Sequence, residues 1–392
     1  MIPLWDDETE ARVRAAARSL DKQTTPDTVR MCTKCVVTNQ RPRITFDEHG
    51  VCSACRYAED KWNGGIDWSE REGQLQKLLS RFRTQSGYNV IVPCSAGKDS
   101  SHVATSLRDA GMNPLCALWE PFMYTDIGRA NVDAFCHGGF DLVKAQPNGM
   151  LHRKLARLAL EFKGDPFEPF VYGQLAWPLH VAVHNGCRLV FYGENGEAEY
   201  GGDTSANNRP FWSMDDWERV YLKGAGYRDI VAIGKDLGVF GKGEIERATR
   251  YYEPPPRRVM EELDIQVHWF GYYRPWHPQQ NFYEASERTG FQTEGRRSEM
   301  TYTKFASIDD KMDGIHYRFA YLKFGIGRCT SDAAQQVRAG DIDRDEALAL
   351  VQRYDHEIPE RHMAECLEYL GMDREQYDMV EMRFSGKAEK AA

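Results

Sequence analysis

The stretch Tyr88-Asn-Val-Ile-Val-Pro-Cys-Ser-Ala-Gly-Lys-Asp-Ser-Ser101 decides how the rest of the chain is read. Its first half, Tyr88 to Pro93, is a short apolar run and reads as a buried strand. A loop of small residues follows. Val103, Ala104 and Leu107 then fall on one side of a helix. Small residues let the backbone approach phosphate oxygens, and the helix behind them presents free N–H groups and a positive dipole end. Lys98 adds a point charge, and Ser95 and Ser100 add hydroxyls. The stretch is not a Walker A loop, because G-x-x-x-x-G-K-[ST] is absent.

Working outward, Leu115 to Trp119, Phe140 to Val143 and Arg188 to Tyr192 read as further strands. Helical patterns span Ile127 to His137, Leu151 to Phe162 and Trp177 to His184. Strands alternating with helices predict a parallel sheet covered on both faces. In such a sheet, ligand-binding residues gather beyond the carboxyl ends of the strands. Ser95, Glu120 and Glu194 all fall there. The fourth strand runs into Tyr192-Gly-Glu-Asn195, and Glu194 is placed to reach magnesium or a nucleotide. Glu197 and Glu199 read as a solvated acidic turn.

Four cysteines lie before this unit as Cys32-x2-Cys35 and Cys52-x2-Cys55, sixteen residues apart. Each pair can put two sulfurs on one tight turn, and two such turns close a tetrahedral shell suited to zinc. With all four positions filled by cysteine, no coordination site is left for a substrate, so the expected role is structural or a docking surface.

The remaining organisation is a helix from Glu8 to Leu20, a loop through Thr24 to Asp27, and a helix from Ser69 to Phe82. Residues 201–300 are rich in Gly, Trp, Tyr and Pro and yield no assignment. His268, Trp269, Trp276 and His277 in that stretch read as aromatic core, with a sugar-stacking platform as the alternative. Ser331 to Arg353 and Pro359 to Leu370 read as helices, with Asp341 as an N-cap. The expected units are 1–30, the knuckle 31–60, an α/β domain 61–260 holding the loop, a helical substrate region 261–384 and a disordered tail 385–392.

The chain has 392 residues, 42% hydrophobic and 12% aromatic, enough for two or three domains with a sizeable core. Its net charge of −9 argues against general nucleic-acid binding. No run of about 18 apolar residues occurs, and the charged, amphipathic stretch Met1 to Leu20 lacks the apolar run of a signal peptide. A cytoplasmic protein that does not span a membrane is expected. Ten cysteines in such a chain suit metal ligands or free thiols better than disulfides.

Ser95-Ala-Gly-Lys-Asp-Ser100 resembles the S-G-G-K-D-S signature of the PP-loop ATP pyrophosphatases, which are adenine nucleotide alpha hydrolase-like. Ala96 departs from it, and its methyl group is expected to hold a negative φ. The resemblance implies an enzyme that splits ATP between the α and β phosphates with Mg2+. Ser95, Ala96, Gly97, Lys98, Asp99 and Ser100 would contact the nucleotide together with Gly193, Glu194 and Asn195.

Further motifs narrow this. The four cysteines, Gly193-Glu-Asn195, Glu199-Tyr-Gly-Gly202, Ser307-Ile-Asp-Asp-Lys-Met-Asp-Gly314 and Lys323-Phe-Gly-Ile-Gly-Arg328 together resemble the N-acetyl sugar amidotransferases. Those enzymes serve bacterial surface-polysaccharide and nonulosonic-acid biosynthesis. The resemblance runs from Met31 to Phe384 and implies conversion of a sugar acetamido group to an acetamidino group. ATP adenylates the amide oxygen and ammonia displaces AMP. Lys98, Asp99, Glu194, Asp309 and Lys311 are the expected catalytic residues. The substrate would be an acetamido sugar or nucleotide sugar.

Asp309, Asp313 and His316 would share one helix face. Lys323 and Arg328 could meet phosphates or a carboxylate. Residue 2 is Ile2 and no G-x-C-x-G elbow occurs, so no glutaminase is expected in the chain. A separate glutaminase paired with a cyclase-like barrel would supply ammonia, with the knuckle a candidate dock. Two other readings are a PP-loop tRNA thiolase and a non-catalytic scaffold that keeps zinc and a nucleotide fold. The absence of a further C-x2-C pair and the acidic charge weigh against the first, and intact Lys98 and Asp99 against the second.

Overall fold

The computed structural model describes residues 3–18, 28–83, 87–211, 213, 215 and 226–385. One sheet contains β1 (Val90–Pro93), β2 (Pro114–Trp119), β3 (Asp141–Ala145), β4 (Leu189–Tyr192) and β5 (Gln266–Trp269). Its order is β3-β2-β1-β4-β5, with every neighbouring pair parallel. The chain thus moves outward from β1 through β2 and β3, then restarts on the other side with β4 and β5. This reversal lies between β1 and β4, where segments leaving the two strands diverge and open a crevice beyond their carboxyl ends.

β1, β2 and β4 are apolar because both faces are covered, whereas edge strand β3 carries exposed Asp141 and Lys144. Val90, Val92, Leu118 and Phe191 enter one cluster, while Ile91, Leu115, Val190 and Val267 enter the other, following the two-residue period of a strand. Helices α1 (Asp7–Arg18), α2 (Ser53–Trp62), α3 (Trp68–Ser80), α4 (Lys98–Asp109), α5 (Asp126–His137), α6 (Gly149–Lys163), α7 (Glu168–Asn185) and α8 (Gly196–Tyr200) surround the sheet. α3, α4 and α5 supply Leu79, Leu107 and Phe135 to the first cluster, and α7 supplies Leu179 and Ala182 to the second. After β5 come α9 (Pro278–Thr289), α10 (Asp313–Phe324), α11 (Arg328–Ala339), α12 (Arg344–Tyr354), α13 (Met363–Leu370) and α14 (Arg374–Phe384).

Buried α6 fastens the last helices to this layer. Arg153 Nε donates to the carbonyl of Tyr369 at 2.7 Å, and Arg157 Nη1 to that of Gly371 at 3.0 Å. Both acceptors lie at the carboxyl end of α13, where helix carbonyls lack internal partners and the dipole favours a cation. The cysteine segment is gripped from the other side. Cys32, Cys35, Val36 and Ala54 share one apolar cluster with Ala333 and Ala334 of α11 and Ala347 of α12.

Several details differ from the sequence reading. β5 and α9 lie in the stretch that could not be assigned, and they complete the α/β layer. The span Ser331 to Arg353 is two helices broken at Gly340, whose φ is 82°. Asp343, not Asp341, caps α12 by accepting from the Glu346 N–H at 2.8 Å. Asp309 does not share a helix face with Asp313 and His316, because α10 starts at Asp313. Asp310 causes this: its carboxylate accepts backbone N–H groups of Phe122, Met123 and Met312, which pins the segment as a loop. The predicted loop Thr24 to Asp27 and the tail 386–392 lie outside the described residues.

The layer has little slack where α7 crosses β2. A Cβ on Gly173 would stand 2.1 Å from Cε2 of Trp119. Gly173→Ala should therefore destabilise the fold by about 1–3 kcal/mol through overpacking, seen as a lower midpoint in denaturant unfolding followed by tryptophan fluorescence.

Candidate active site and cysteine cluster

The loop after β1 is held from beneath. The Ala96 N–H donates to Cys94 Sγ at 3.2 Å, and the Gly97 N–H to Ser95 Oγ at 3.3 Å. Gly97 is the N-cap of α4, so the N–H groups of the first helical turn point into the crevice without intrahelical acceptors. Ala96 does not hold the expected negative φ: it sits at +59°, in the left-handed region, with its methyl buried in the sheet cluster. Ser100 turns its hydroxyl back onto the Gly97 carbonyl at 3.2 Å.

Two adjoining cavities open here. One of about 160 Å³ is lined by Ser95, Ala96, Gly97, Lys98 and Asp99 on one wall and by Ser307, Asp309 and Arg328 on the other. The second, of about 270 Å³, is lined by Lys98, Asp99, Glu194 and Trp276 and closed by α11. Lys98 is buried and paired with Asp99, which also accepts from Asn281 Nδ2 at 3.0 Å. Glu194 accepts from the Tyr200 hydroxyl at 3.4 Å. Burial and the neighbouring Asp99 push its carboxyl up to about 7.

Arg328 joins the two cavities. Its Nη1 donates to Ser307 Oγ at 3.0 Å and to the Tyr317 hydroxyl at 2.7 Å, and its Nη2 meets Asp332 at 2.8 Å. Burial opposes its charge, yet Asp332 and Tyr317 hold its pKa well above the ordinary value. Opposite, a loop from the C-terminal part zips onto the segment after β2. The Thr125 N–H donates to the Asp309 carbonyl at 3.1 Å, and the Lys311 N–H to the Met123 carbonyl at 2.9 Å. Gly128 makes room for this, since a Cβ there would stand 2.7 Å from Asp309 Cα. Burial also raises the pKa of Asp309.

Of the expected site residues, the structure brings Ser95, Ala96, Gly97, Lys98, Asp99, Glu194 and Asp309 to the two cavities. Gly193 contributes by close approach, because a Cβ there would stand 2.9 Å from the Trp276 ring. Asn195 is buried and shapes the turn, donating to the Ala206 carbonyl at 3.0 Å and accepting from the Glu197 N–H at 3.2 Å. Lys311 lies apart, paired with Glu365 beside a small cavity of about 50 Å³. Lys323 donates to the Lys163 carbonyl at 3.0 Å, away from the crevice. His316 meets Asp165 at 2.8 Å.

Glu197 and Glu199 are buried and ion-paired, with Arg43 and Lys61, and are not a solvated turn. Sequence reasoning missed Thr303, Phe305, Asp332, Gln336 and Ala339 as crevice walls. The spacing 328, 332, 335, 336, 339 marks one helical face, yet its polar character reads as a solvent-facing stripe.

All four sulfurs of Cys32, Cys35, Cys52 and Cys55 lie within 4.8 Å of one another and are buried. Cys32 and Cys55 are 3.9 Å apart, and Cys35 and Cys52 are 3.8 Å apart. A tetrahedral zinc–thiolate shell with bonds of about 2.3 Å has edges of about 3.8 Å, so the donor set and spacing fit zinc. Cys32 Sγ also accepts N–H groups of Lys34, Cys35 and Cys52 at 3.3–3.5 Å. Four thiolates around a dication leave a net negative cluster, and Arg338 of α11 stands 3.9 Å from Cys35 Sγ.

Residues 299–390 match the family model of the LPS biosynthesis protein WbpG-like, C-terminal domain. The matched segment supplies α11, Arg328 and Asp309, the part that closes the crevice. It associates this chain with bacterial polysaccharide biosynthesis. No curated protein matches the chain. No helix among the described residues is long and apolar enough to cross a membrane.

Two outcomes follow. Cys52→Ser should abolish stoichiometric zinc in the purified protein, measured by elemental analysis, and lower the thermal midpoint by the lost metal-linked folding energy. The second concerns Glu194, whose folded pKa is raised from its ordinary 4.5 to about 7. Its neutral form is favoured in the folded state, so its contribution to stability is full below pH 4.5 and is lost as pH rises through 7. Glu194→Gln should gain stability relative to the parent protein across that window and hold a constant advantage above it, read from melting curves without nucleotide.

Proposed function

We propose that this protein is an ATP-dependent amidotransferase that converts a sugar acetamido group to an acetamidino group in bacterial surface-glycan biosynthesis. The carrying observation is the position of the Ser95–Ser100 loop. It follows β1 at the point where the strand order reverses, and it faces a crevice closed by the segment matching a lipopolysaccharide biosynthesis domain. A loop of this build suits a triphosphate: free N–H groups at the start of α4, with Lys98 beside them.

The chemistry explains the need for ATP. An amide oxygen is a poor leaving group. In the first step it attacks the α-phosphorus, a P–O bond forms, and the bond to pyrophosphate breaks. The loop N–H groups and Lys98 neutralise charge on the departing pyrophosphate. Lys98 exchanges Asp99 for phosphate oxygens as it does so. Asp99, on the wall shared by the two cavities, is the carboxylate that would hold the magnesium accompanying ATP, which supplies further charge neutralisation, while Glu194 lines the larger cavity alone.

In the second step ammonia adds to the imidate carbon, the C–O bond to AMP breaks, and one proton is released. Asp309, with its raised pKa, is the nearby group proposed to take that proton. Lys311, outside the crevice, has no part in this scheme. The cysteine cluster is structural, with zinc bracing the wall that carries α11. Ammonia would come from a separate glutaminase-bearing partner.

Incubation with ATP, magnesium, ammonium salt and a panel of acetamido sugars and nucleotide sugars, followed by mass spectrometry, tests the reading. The expected product is about 1 Da lighter than its substrate, since O is exchanged for NH, with AMP and pyrophosphate formed in equal amounts. Lys98→Ala should cut turnover at least about a hundredfold while zinc content is unchanged, in line with loss of one preorganised electrostatic contact. AMP formation only with tRNA and a sulfur donor would replace this reading by a thiolase.

A further inference from the structure

We propose that the 270 Å³ cavity is the subsite for the neutral acetamido-sugar ring, and that the phosphates of any nucleotide lie outside it. The inference rests on the amidotransferase reading and adds which wall recognises the sugar.

Helix α11 has two opposite stripes. Ala333 and Ala334, with Val337, pack into the cluster around the four cysteines. Arg328, Asp332, Gln335, Gln336 and Ala339 line the cavity. These positions recur at the four- and three-residue steps of one helix face. The polar stripe of an amphipathic helix ordinarily meets solvent, whereas here it faces an internal hollow. A hollow walled by side-chain amides and carboxylates suits a ligand rich in hydroxyls.

A second observation points to a ligand. Thr303 is only 6% exposed, lines this cavity, and its Oγ1 has no hydrogen-bond partner among the described residues. Arg328 Nε is likewise buried without one. A buried polar group left unsatisfied is destabilising, a deficit that a sugar hydroxyl or acetamido oxygen would remove.

Charge separates this cavity from its neighbour. Asp99, Glu194, Asp332 and Asp341 line it against only Lys98 and Arg328. Two of those carboxylates are already paired with the two cations. The balance repels phosphate and accepts a neutral polyol. The loop N–H groups that favour phosphate open into the 160 Å³ cavity instead. Lys98, Asp99, Phe305 and Arg328 line both cavities. An acetamido group reaching from the larger cavity would therefore meet the α-phosphate at that shared wall. Trp276 and Phe305 supply flat apolar faces for the C–H side of a sugar ring.

The test measures KM for ATP and for the best acetamido sugar of the panel, in the amidine-forming assay with ammonium salt, for Thr303→Val and Ala339→Trp. Thr303→Val removes one hydroxyl at nearly constant volume, and Ala339→Trp fills the cavity from α11. The expected result is a sugar KM raised about tenfold or more, the worth of one hydrogen bond, with KM for ATP within about twofold and zinc content intact. An unchanged sugar KM in both folded variants would overturn the subsite while leaving the activity standing, and a raised ATP KM instead would give the cavity to the nucleotide. Absence of amidine from the parent protein with every sugar would sink the underlying reading and this subsite with it.

Discussion

The ammonium group of Lys61 joins three segments that are far apart in the chain. It donates to both oxygens of Glu199, at 2.9 and 2.8 Å, and to the carbonyl of Trp276 at 2.9 Å. Lys61 belongs to α2, which carries the second cysteine pair into the fold. Glu199 belongs to α8, just after β4, and Trp276 precedes α9. Both charges are almost fully buried. Such a pair gains little over a well-packed apolar contact, but loss of one partner leaves a stranded charge costing about 3–5 kcal/mol. Its value is therefore specificity of arrangement. With Lys61 in place, Glu194 and Trp276 stand in the crevice wall beside Lys98, and the cysteine segment has one seat on the α/β layer.

The same arrangement explains why the crevice is polar inside and deep enough to hold a ligand. α11 is fixed by its small residues against the cysteine cluster and by Arg338 beside Cys35. Its carboxyl-terminal neighbours are fixed by Arg344, which donates to the Cys32 and Cys35 carbonyls at 3.2 and 3.3 Å. On the far side, Arg153 and Arg157 hold α13 to α6. A cluster of four sulfurs that offers no open coordination site thus acts at a distance, by setting where one helix stands. Remove the metal-binding geometry and the polar stripe of α11 loses its backing before any crevice residue is touched.

How much of this could be read from residues alone depended on the range of the interaction. The cysteine spacing was legible because two C-x2-C turns fold locally, and the loop after β1 was legible because strand, small residues and helix are contiguous. β5 was not, since Gln266–Trp269 is four residues long and lies among Gly, Pro and aromatic residues that blur its alternation. Asp309, Asp313 and His316 were read as one helix face from their spacing. Asp310 overrides that pattern by accepting three backbone N–H groups, two of them from the segment after β2. The turn through Glu197 and Glu199 looked solvated because its partners, Arg43 and Lys61, are more than a hundred residues away. The crevice wall on α11 was hidden for a related reason: an amphipathic helix does not announce whether its polar side meets water or a hollow.

Backbone strain marks the place where these long-range contacts converge. Among the described residues five non-glycine positions have positive φ, and two of them, Ala96 at +59° and Ser307 at +50°, line the same 160 Å³ cavity. Each such conformation costs about 1–2 kcal/mol and persists only where surroundings over-determine it. Ala96 is held by its methyl in the sheet core and by its N–H on Cys94 Sγ. Ser307 is held by Tyr317 and Arg328. A glycine at 96 would relieve the strain but give up the methyl anchored in the core. With alanine there, the loop is locked against the sheet before a ligand arrives. Donors at the start of α4 then need no rearrangement if charge develops on a group bound there, and that is the condition under which fixed dipoles stabilise a transition state most effectively.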